Sequence, residues 1–456
     1  MSIKSVFIAN RGEIAVRINR ACRELGVRVV QAASAADVDS LAARLADEVI
    51  EIGPPPAAKS YLDSERVVNA ARAAGCDAVH PGYGFLAENG DFADAVVAAG
   101  MRFIGPSGDA IRLLGDKVEA RRVAAAAGVP VVPGSDGRLD ALADATTLAD
   151  RIGYPVMIKA AAGGGGRGIR IVHDAEELAR QFPQASAEAR AAFGDGGLYV
   201  EKVIEHARHV EVQVLGDGER FVHCYERECS LQRRRQKVWE EAPAIGLDTQ
   251  VRERLCASAV ALAAAVGYRG AGTVEYLYDP RTHEFYFIEV NTRIQVEHPV
   301  TEMITGLDLV QTMIRVAGGE PLPFTQDQVR VSGHAIECRI NAEDPARNFM
   351  PGPGTVTALS VPQGDGVRFD TLLYEGYAVP PFYDSLLGKL IVHGPDRETC
   401  LERLRAALAT LEIGGLATTR SLHEALARDA DVIAGRTDTR FLEPWLARAF
   451  VPAAAP

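Results

Sequence analysis

Apolar and polar positions in the first third of the chain alternate between two rhythms. Ser5 to Ala9 and Val27 to Ala33 are apolar runs of strand length, and between them Ile14, Ile18, Ala21 and Leu25 recur at helical spacing across Glu13 to Leu25. Further strand–helix signals lie around Ala78-Val79-His80 and Arg102-Phe103-Ile104. The alternation predicts an α/β fold that opens with a mainly parallel, doubly wound sheet over residues 1–114. The first strand–helix turn, Asn10-Arg11-Gly12-Glu13, lacks the G-x-G-x-x-G of a dinucleotide site.

The rhythm changes after Gly115-Asp116-Lys117, and a second unit is expected over 115–332. The turn-rich Gly128-Val-Pro-Val-Val-Pro-Gly134 predicts a hinge into a small lid, about residues 130–204. The lid would hold a strand from Pro155 to Lys159, a glycine loop, a helix from Asp174 and a return strand from Leu198 to Val203. From Arg208 to Asn291 hairpins dominate, with Val210 to Leu215 and Arg220 to Tyr225 flanking Gly216-Asp217-Gly218, and a helix from Gln250 to Val266 interrupts them. Beyond Gly333 short strands and proline turns lead to a terminal amphipathic helix, Arg397 to Leu411, giving a mixed α+β unit over 333–446. Residues 447–456, rich in Pro and Ala, are expected to be a disordered tail.

One run breaks the apolar pattern with chemistry. Glu289-Val-Asn291-Thr-Arg293-Ile-Gln295-Val-Glu297-His-Pro299, read as a single strand, sets Glu, Asn, Arg, Gln and Glu on one face and Val290, Ile294 and Val296 on the other. The bland alternative is the solvated face of an edge strand. Against it stands the mixture: hard oxygen ligands suit Mg²⁺, a guanidinium suits a small oxyanion, and a carboxylate beside it can remove a proton.

Three other features bear on that reading. Lys159-Ala-Ala-Ala-Gly163-Gly-Gly-Gly-Arg-Gly168 follows an apolar strand, and its glycines let backbone N–H groups approach phosphate oxygens, although a flexible turn is an equal reading of the glycines alone. The hairpin of Thr273 to Asp279 with Glu284 to Glu289 would bring Glu275 beside Glu289, a repulsive pairing unless a cation sits between them; otherwise one Glu faces water. The basic run Gln232-Arg-Arg-Arg-Gln-Lys237 is a solvated surface patch, or a set of cations for an anionic substrate and a transferring phosphoryl group.

Composition narrows the classes. The chain has 456 residues, 47% hydrophobic and 24% charged, which suits a soluble protein of two to four domains. A net charge of −12 argues against nucleic acid or an anionic membrane as partner. Seven scattered cysteines without a C-x-x-C pair argue against a disulfide framework or zinc site, and they suit a reducing compartment. The N-terminus has no signal-peptide apolar region, and the uncharged stretch Ala257 to Tyr268 is too short to cross a bilayer, so the cytoplasm is expected.

The ordered set of motifs resembles the biotin carboxylase family of ATP-grasp enzymes. The set comprises Ala9-Asn-Arg-Gly-Glu-Ile-Ala15, His80-Pro-Gly-Tyr-Gly-Phe-Leu86, Gly-Gly-Gly-Gly-Arg-Gly168, Arg208-His-Val-Glu211, Glu240-Glu-Ala-Pro243, Glu289 to Pro299, and Glu337-Cys-Arg-Ile-Asn-Ala-Glu-Asp344. The resemblance implies an N-terminal α/β domain, an ATP-grasp core with a mobile glycine-rich lid, and a C-terminal domain. It implies that Lys117, Lys159, Gly165, Gly166, Glu201, Lys202, Ile204, His209 and Gln232 hold ATP, with Glu275 and Glu289 also at the nucleotide. Glu275, Glu289 and Asn291 would hold Mg²⁺, with Mn²⁺ an equivalent ion. Lys237, Arg293, Gln295 and Val296 would bind bicarbonate, Glu297 would be its base, and Arg339 would face the biotin ureido oxygen with Tyr83 nearby. Arg235 stands at the nucleotide-ribose position where the family more often has His, and Ala160-Ala-Ala-Gly opens the loop where Ser or an extra Gly is frequent.

The implied activity is ATP- and Mg-dependent carboxylation of biotin from bicarbonate through carboxyphosphate. That is the first half-reaction of a biotin-dependent carboxylase such as acetyl-CoA carboxylase of fatty acid biosynthesis, or another acyl-CoA carboxylase. No Met-Lys-Met biotinylation sequence occurs, so the expected partners are a separate biotinylated carrier protein and a carboxyltransferase, with the chain itself a homodimer. The competing reading is another ATP-grasp ligase, carbamoyl-phosphate-forming or amine-acylating. Such an enzyme would share the ATP and Mg²⁺ residues and would not need Arg339 or the His80-Pro-Gly-Tyr motif. A non-catalytic nucleotide sensor would not need to keep Glu297 and Lys237.

Overall fold

The computed structural model describes residues 3–135, 137–160, 170–193 and 196–450. The N-terminal apolar runs become β1 (Ser5–Ile8), β2 (Arg28–Ala33), β3 (Glu48–Glu51), β4 (Ala78–His80) and β5 (Arg102–Phe103). They pair in the order β3–β2–β1–β4–β5, every pairing parallel. Strands covered on both faces can be apolar throughout, which is why β1 is buried along its whole length. The helix Gly12–Glu24 lays Ile14, Ile18, Ala21 and Cys22 on the sheet.

A small antiparallel sheet follows, built from β6 (Val156–Ala160), β7 (Arg170–Val172) and β8 (Leu198–Lys202) in the order β7–β6–β8. Helices Leu142–Ile152 and Ala175–Phe193 close its core around Leu148, Val156, Ile158, Leu178, Phe182 and Val200. Both the first of these helices and β7 are absent from the sequence reading; for β7 the reason is that three residues of strand carry too little periodicity to register.

The largest element is an eight-stranded sheet. It contains β9 (Arg208–Asp217), β10 (Phe221–Arg233), β11 (Gln236–Ala242), β12 (Arg269–Asp279), β13 (Glu284–Asn291) and β14 (His334–Asn341). Its order is β13–β12–β9–β10–β11–β14, continued by Leu386–Gly394 and Val367–Thr371, and its pairings are antiparallel. The chain on either side of residues 332 and 333 therefore contributes to one continuous sheet. The helix Arg397–Thr410 covers its far half but is not terminal, since Arg420–Leu426, Ala430–Ile433 and Leu442–Arg448 follow. All seven cysteines are free and buried. Among the described residues, no helix is long and apolar enough to cross a membrane.

Bulges interrupt several pairings of this sheet, and two of them set the phase of residues at the site. In β12–β13, Glu275 pairs with Glu289 while its neighbour Tyr276 pairs with Phe287, so Ile288 is left over. In β10–β11, Gln232 pairs with Lys237 while Leu231 pairs with Trp239, so Val238 is left over. A bulge of this kind inverts which side of the sheet the strand's next residues face. Phe285, Phe287, Trp239 and Leu231 thus remain in cores while Glu289 and Lys237 turn to the opposite face.

The run Glu289 to Pro299 is not a single strand. β13 stops at Asn291, and residues 292–297 turn into the helix His298–Thr305. The physical reason is Pro299, which lies in that helix's first turn, where its missing N–H is harmless and its fixed φ favours a helical start. Arg293, Gln295 and Glu297 therefore reach the site from a turn rather than from one strand face.

Candidate active site

β13, β12, β9 and β10 set Glu289, Glu275, Glu211 and Arg227 side by side in register. Three adjacent carboxylates on one sheet face are mutually repulsive, and the row persists only if cations compensate it. Arg227, fully buried, donates to Glu211 at 2.7 Å and also to Gln295 at 2.7 Å and Gln213 at 2.8 Å. Lys237 arrives from β11 and donates to Glu211, to Glu275 at 2.9 Å and to Glu297 at 2.6 Å. His209 Nε2 lies 3.2 Å from Glu275 and 3.4 Å from Glu211.

The charges set one another. Burial alone would favour neutral acids, yet Lys237 holds Glu211, Glu275 and Glu297 below the ordinary carboxylate value. Burial would also deprotonate Lys237, but Glu211 and Glu297 push its pKa well above the ordinary ammonium value. Burial lowers and Glu275 raises the His209 pKa, with a net rise to about 9, so the ring is an imidazolium at neutral pH. The site therefore enters its work with Glu297 ionised and Lys237 charged.

Arg339, on β14, extends the cluster. Its Nη2 donates to Glu297 at 2.9 Å and its Nε to Glu240 at 2.6 Å. Tyr83 donates to Glu13, and Arg339 is among the charges that bear on its phenol. Beyond Tyr83 opens a cavity of about 360 Å³, lined among others by Asn10, Glu13, Phe382, Tyr383 and Asp384. Val296 contributes its backbone carbonyl, which accepts from the buried Lys389 at 2.8 Å.

The nucleotide set is more dispersed. Lys159 pairs with Glu201 across β6 and β8, while Lys202 donates to the carbonyls of Gly153 and Tyr154 at 2.9 Å each. Ile204 is half-buried in the connection to β9. Gln232 donates to the Cys229 carbonyl and lies 3.1 Å from His209 Nδ1, which joins it to the central cluster. Lys117, 84% exposed, reaches only to 3.6 Å of Glu289. Gly165 and Gly166 lie outside the described residues. Arg235 does not join the cluster: it is exposed at the tip of the β10–β11 hairpin, with φ of 66°.

Glu275, Glu289 and Asn291 fit a hard divalent cation. Two carboxylates opposed in register, beside an amide oxygen two residues along, form an all-oxygen donor set short of a full cage, as Mg²⁺ shared with phosphates requires. Asn291 Nδ2 donates to Glu275 at 2.8 Å and its Oδ1 accepts from Arg293 at 2.9 Å, so the amide is already oriented beside the carboxylates. Arg293 also pairs with Glu88 at 3.0 Å.

Sequence reasoning gave no role to Glu211, Arg227, Glu240 or Lys389. A signal for Glu211 existed: His209, Glu211 and Gln213 alternate with Val210, Val212 and Val214 on a strand buried on both faces. Polar residues at period two inside a wholly buried strand must converge on a polar interior.

Comparison with known proteins places this arrangement. Family models match over residues 2–111 (biotin carboxylase, N-terminal domain), 116–325 (carbamoyl-phosphate synthase L chain, ATP binding domain) and 337–444 (biotin carboxylase C-terminal domain). The chain is 52% identical to biotin carboxylase of Pseudomonas aeruginosa over 443 residues, 97% of this chain and 98% of that one. Among solved structures it is similar to the biotin carboxylase domain of a thermophilic 2-oxoglutarate carboxylase bound to bicarbonate. The TM-score is 0.93 at 46% identity, covering 98% of this chain and 99% of that one. The corresponding domain dimer from Hydrogenobacter thermophilus, in complex with MgADP, ADP and bicarbonate, gives 0.87 at 47% identity, with the same 98% and 99% coverage.

Proposed function

The chain belongs to the biotin carboxylase family, and on that footing we propose that it carboxylates biotin on a separate carrier protein with bicarbonate, driven by ATP cleavage. The observation that carries the reading is the Lys237–Glu297–Arg339 cluster, a buried carboxylate between two partly buried cations beside the carboxylate row.

In this reading bicarbonate enters beside Arg293, Gln295 and the Val296 backbone. Its oxygens take over the contact that Lys237 makes to Glu297, and the carboxylate, released from that cation, becomes a stronger base. Glu297 removes the bicarbonate proton, and the dianion oxygen attacks the γ-phosphorus of ATP as the bond to ADP breaks. Lys117, Lys159, Glu201, Lys202, Ile204, His209 and Gln232 would orient the nucleotide, with Gly165 and Gly166 in the glycine loop over it. Mg²⁺ held by Glu275, Glu289 and Asn291 would neutralise charge on the phosphates. Carboxyphosphate then breaks to CO₂ and phosphate. Phosphate takes the ureido N–H proton, Arg339 stabilises the charge that moves to the ureido oxygen, and the nitrogen adds to CO₂.

Residues 1–114, 115–332 and 333–446 act in this scheme as N-terminal, ATP-grasp and C-terminal units, and closure of the lid at 130–204 excludes the water that would waste the intermediate. A carboxyltransferase completes the cycle, so the final acceptor is chosen there and not by this chain. A homodimer is supported by the dimeric relative, and the cytoplasm by the seven free buried thiols.

The test is ATP cleavage by the purified protein. Dependence on bicarbonate and stimulation by free biotin are expected. Stimulation by ammonia with indifference to biotin would replace this reading with the carbamoyl-phosphate-forming one.

A further inference from the structure

Beside Arg339 lie two acids that the reaction scheme does not use. Glu240 on β11 and Glu337 on β14 are paired in register, so their side chains leave the same face of neighbouring strands. Both are fully buried. Glu240 Oε1 accepts from Arg339 Nε at 2.6 Å, but Glu240 Oε2 and both oxygens of Glu337 have no hydrogen-bond partner. Three orphaned acceptors in a buried interior are costly, and two adjacent carboxylates there are costlier still. One proton relieves both costs, since a protonated carboxyl supplies the missing donor and removes one charge.

We propose that Glu240 and Glu337 share one proton, forming an acid–carboxylate pair that positions Arg339 for the biotin oxygen and spares its guanidinium a third carboxylate charge. The proposal rests on the assignment of Arg339 to biotin. The surroundings agree with it from every side. Arg339 on β14 already faces Glu297, so a fully ionised pair would surround one guanidinium with three carboxylates. Lys389, on the neighbouring strand opposite Arg339, is committed to the Val296 carbonyl at 2.8 Å and to Glu13 at 3.1 Å. Lys237 on β11 is committed to Glu211, Glu275 and Glu297. Burial raises Glu240 to about 7 despite Arg339, and burial raises Glu337 well above the ordinary range despite Lys389.

The pair gives Arg339 a directional task. With one proton in place, Glu240 fixes the Nε edge and Glu297 one Nη, and the guanidinium faces two carboxylate charges instead of three. When that proton leaves at higher pH, the third negative charge opposes the electron density that the ureido oxygen would gain. Glu240 and Glu337 are positioning residues in this account, because neither touches the substrate.

The experiment follows the amount of carboxybiotin formed per ATP cleaved, with free biotin, from mildly acidic to alkaline pH. In the parent protein the ratio is expected to fall along the alkaline limb, approaching about tenfold per pH unit once the proton is lost. Glu337→Gln, which mimics the protonated acid, should flatten that limb while staying within about threefold of the parent at its optimum. Glu240→Gln weakens the acceptor for Arg339 and should lower the ratio at every pH. An independent readout is the infrared carbonyl stretch of a protonated carboxyl, expected in the parent protein and lost in Glu337→Gln; a pH titration of that band in the parent protein serves if the variant does not fold. An unchanged alkaline limb in Glu337→Gln, or a band unchanged in both variants, overturns the proposal. Proportional loss of ATP cleavage and carboxybiotin in Arg339→Ala would instead overturn the assignment of Arg339, and the infrared band separates the two failures.

Discussion

The eight-stranded sheet and the small lid sheet both carry lysine–glutamate pairs, and the two settings differ in kind. Lys237 is nearly enclosed and bonds three carboxylates at once, each of which has further partners. Lys159 on the lid is 37% exposed and has one carboxylate, Glu201, which is itself 24% exposed. A multiply bonded buried charge is locked, and removing it strands its partners. A half-exposed pair is worth little to stability, and its lysine is free to exchange its carboxylate for a phosphate. On the proposed assignments, chemistry is concentrated where geometry is fixed, and nucleotide capture where it is adjustable.

Three substitutions sharpen that contrast. Glu297→Gln strikes the fixed region at its base and should reduce bicarbonate-dependent ATP cleavage by about 10³-fold or more, with ATP affinity largely retained. Parent-like turnover in a steady-state assay would assign the base elsewhere. Arg339→Ala should lower carboxybiotin formation by about 10²-fold while bicarbonate-dependent ATP cleavage continues, because carboxyphosphate would still form and decay. Its melting temperature should fall as well, since Glu240 and Glu297 lose a partner in a buried setting. The measurement that decides is therefore the ratio of the two products, not the rate of either. The smallest effect belongs to the lid: Lys159→Met should raise the KM for ATP by about tenfold with little change in melting temperature, and a large thermal destabilisation would mean that its pairing with Glu201 is structural.

The alternating strands and helices of the first hundred residues were readable because a buried parallel strand and an amphipathic helix each leave a strong periodic mark. The approach of Glu275 to Glu289 was readable too, since a hairpin closing through Pro280 to His283 brings them within one residue of register, but the pairing itself depends on the surplus Ile288. What alternation could not reveal was phase. On paper Glu289 shares its parity with Phe285 and Phe287 and should enter their core, but one surplus residue, Ile288, reverses it. Spacing along the chain could not name the acids that hold Arg339 either. Arg339 pairs with Glu240 and Glu297, which are distant in sequence and brought together by β11 and by the turn before His298.

The surplus residue Val238 makes the length of β11 part of the chemistry. Because Lys237 and Trp239 stand on opposite faces only through that insertion, deleting one residue there exchanges inside for outside along the strand's start. The ammonium would be driven towards the apolar interior that holds Leu231 and Trp239, and the row of carboxylates would lose the cation that joins Glu211, Glu275 and Glu297. Most point changes on a surface hairpin are mild, but here a single indel rewrites the electrostatics of a pocket several strands wide.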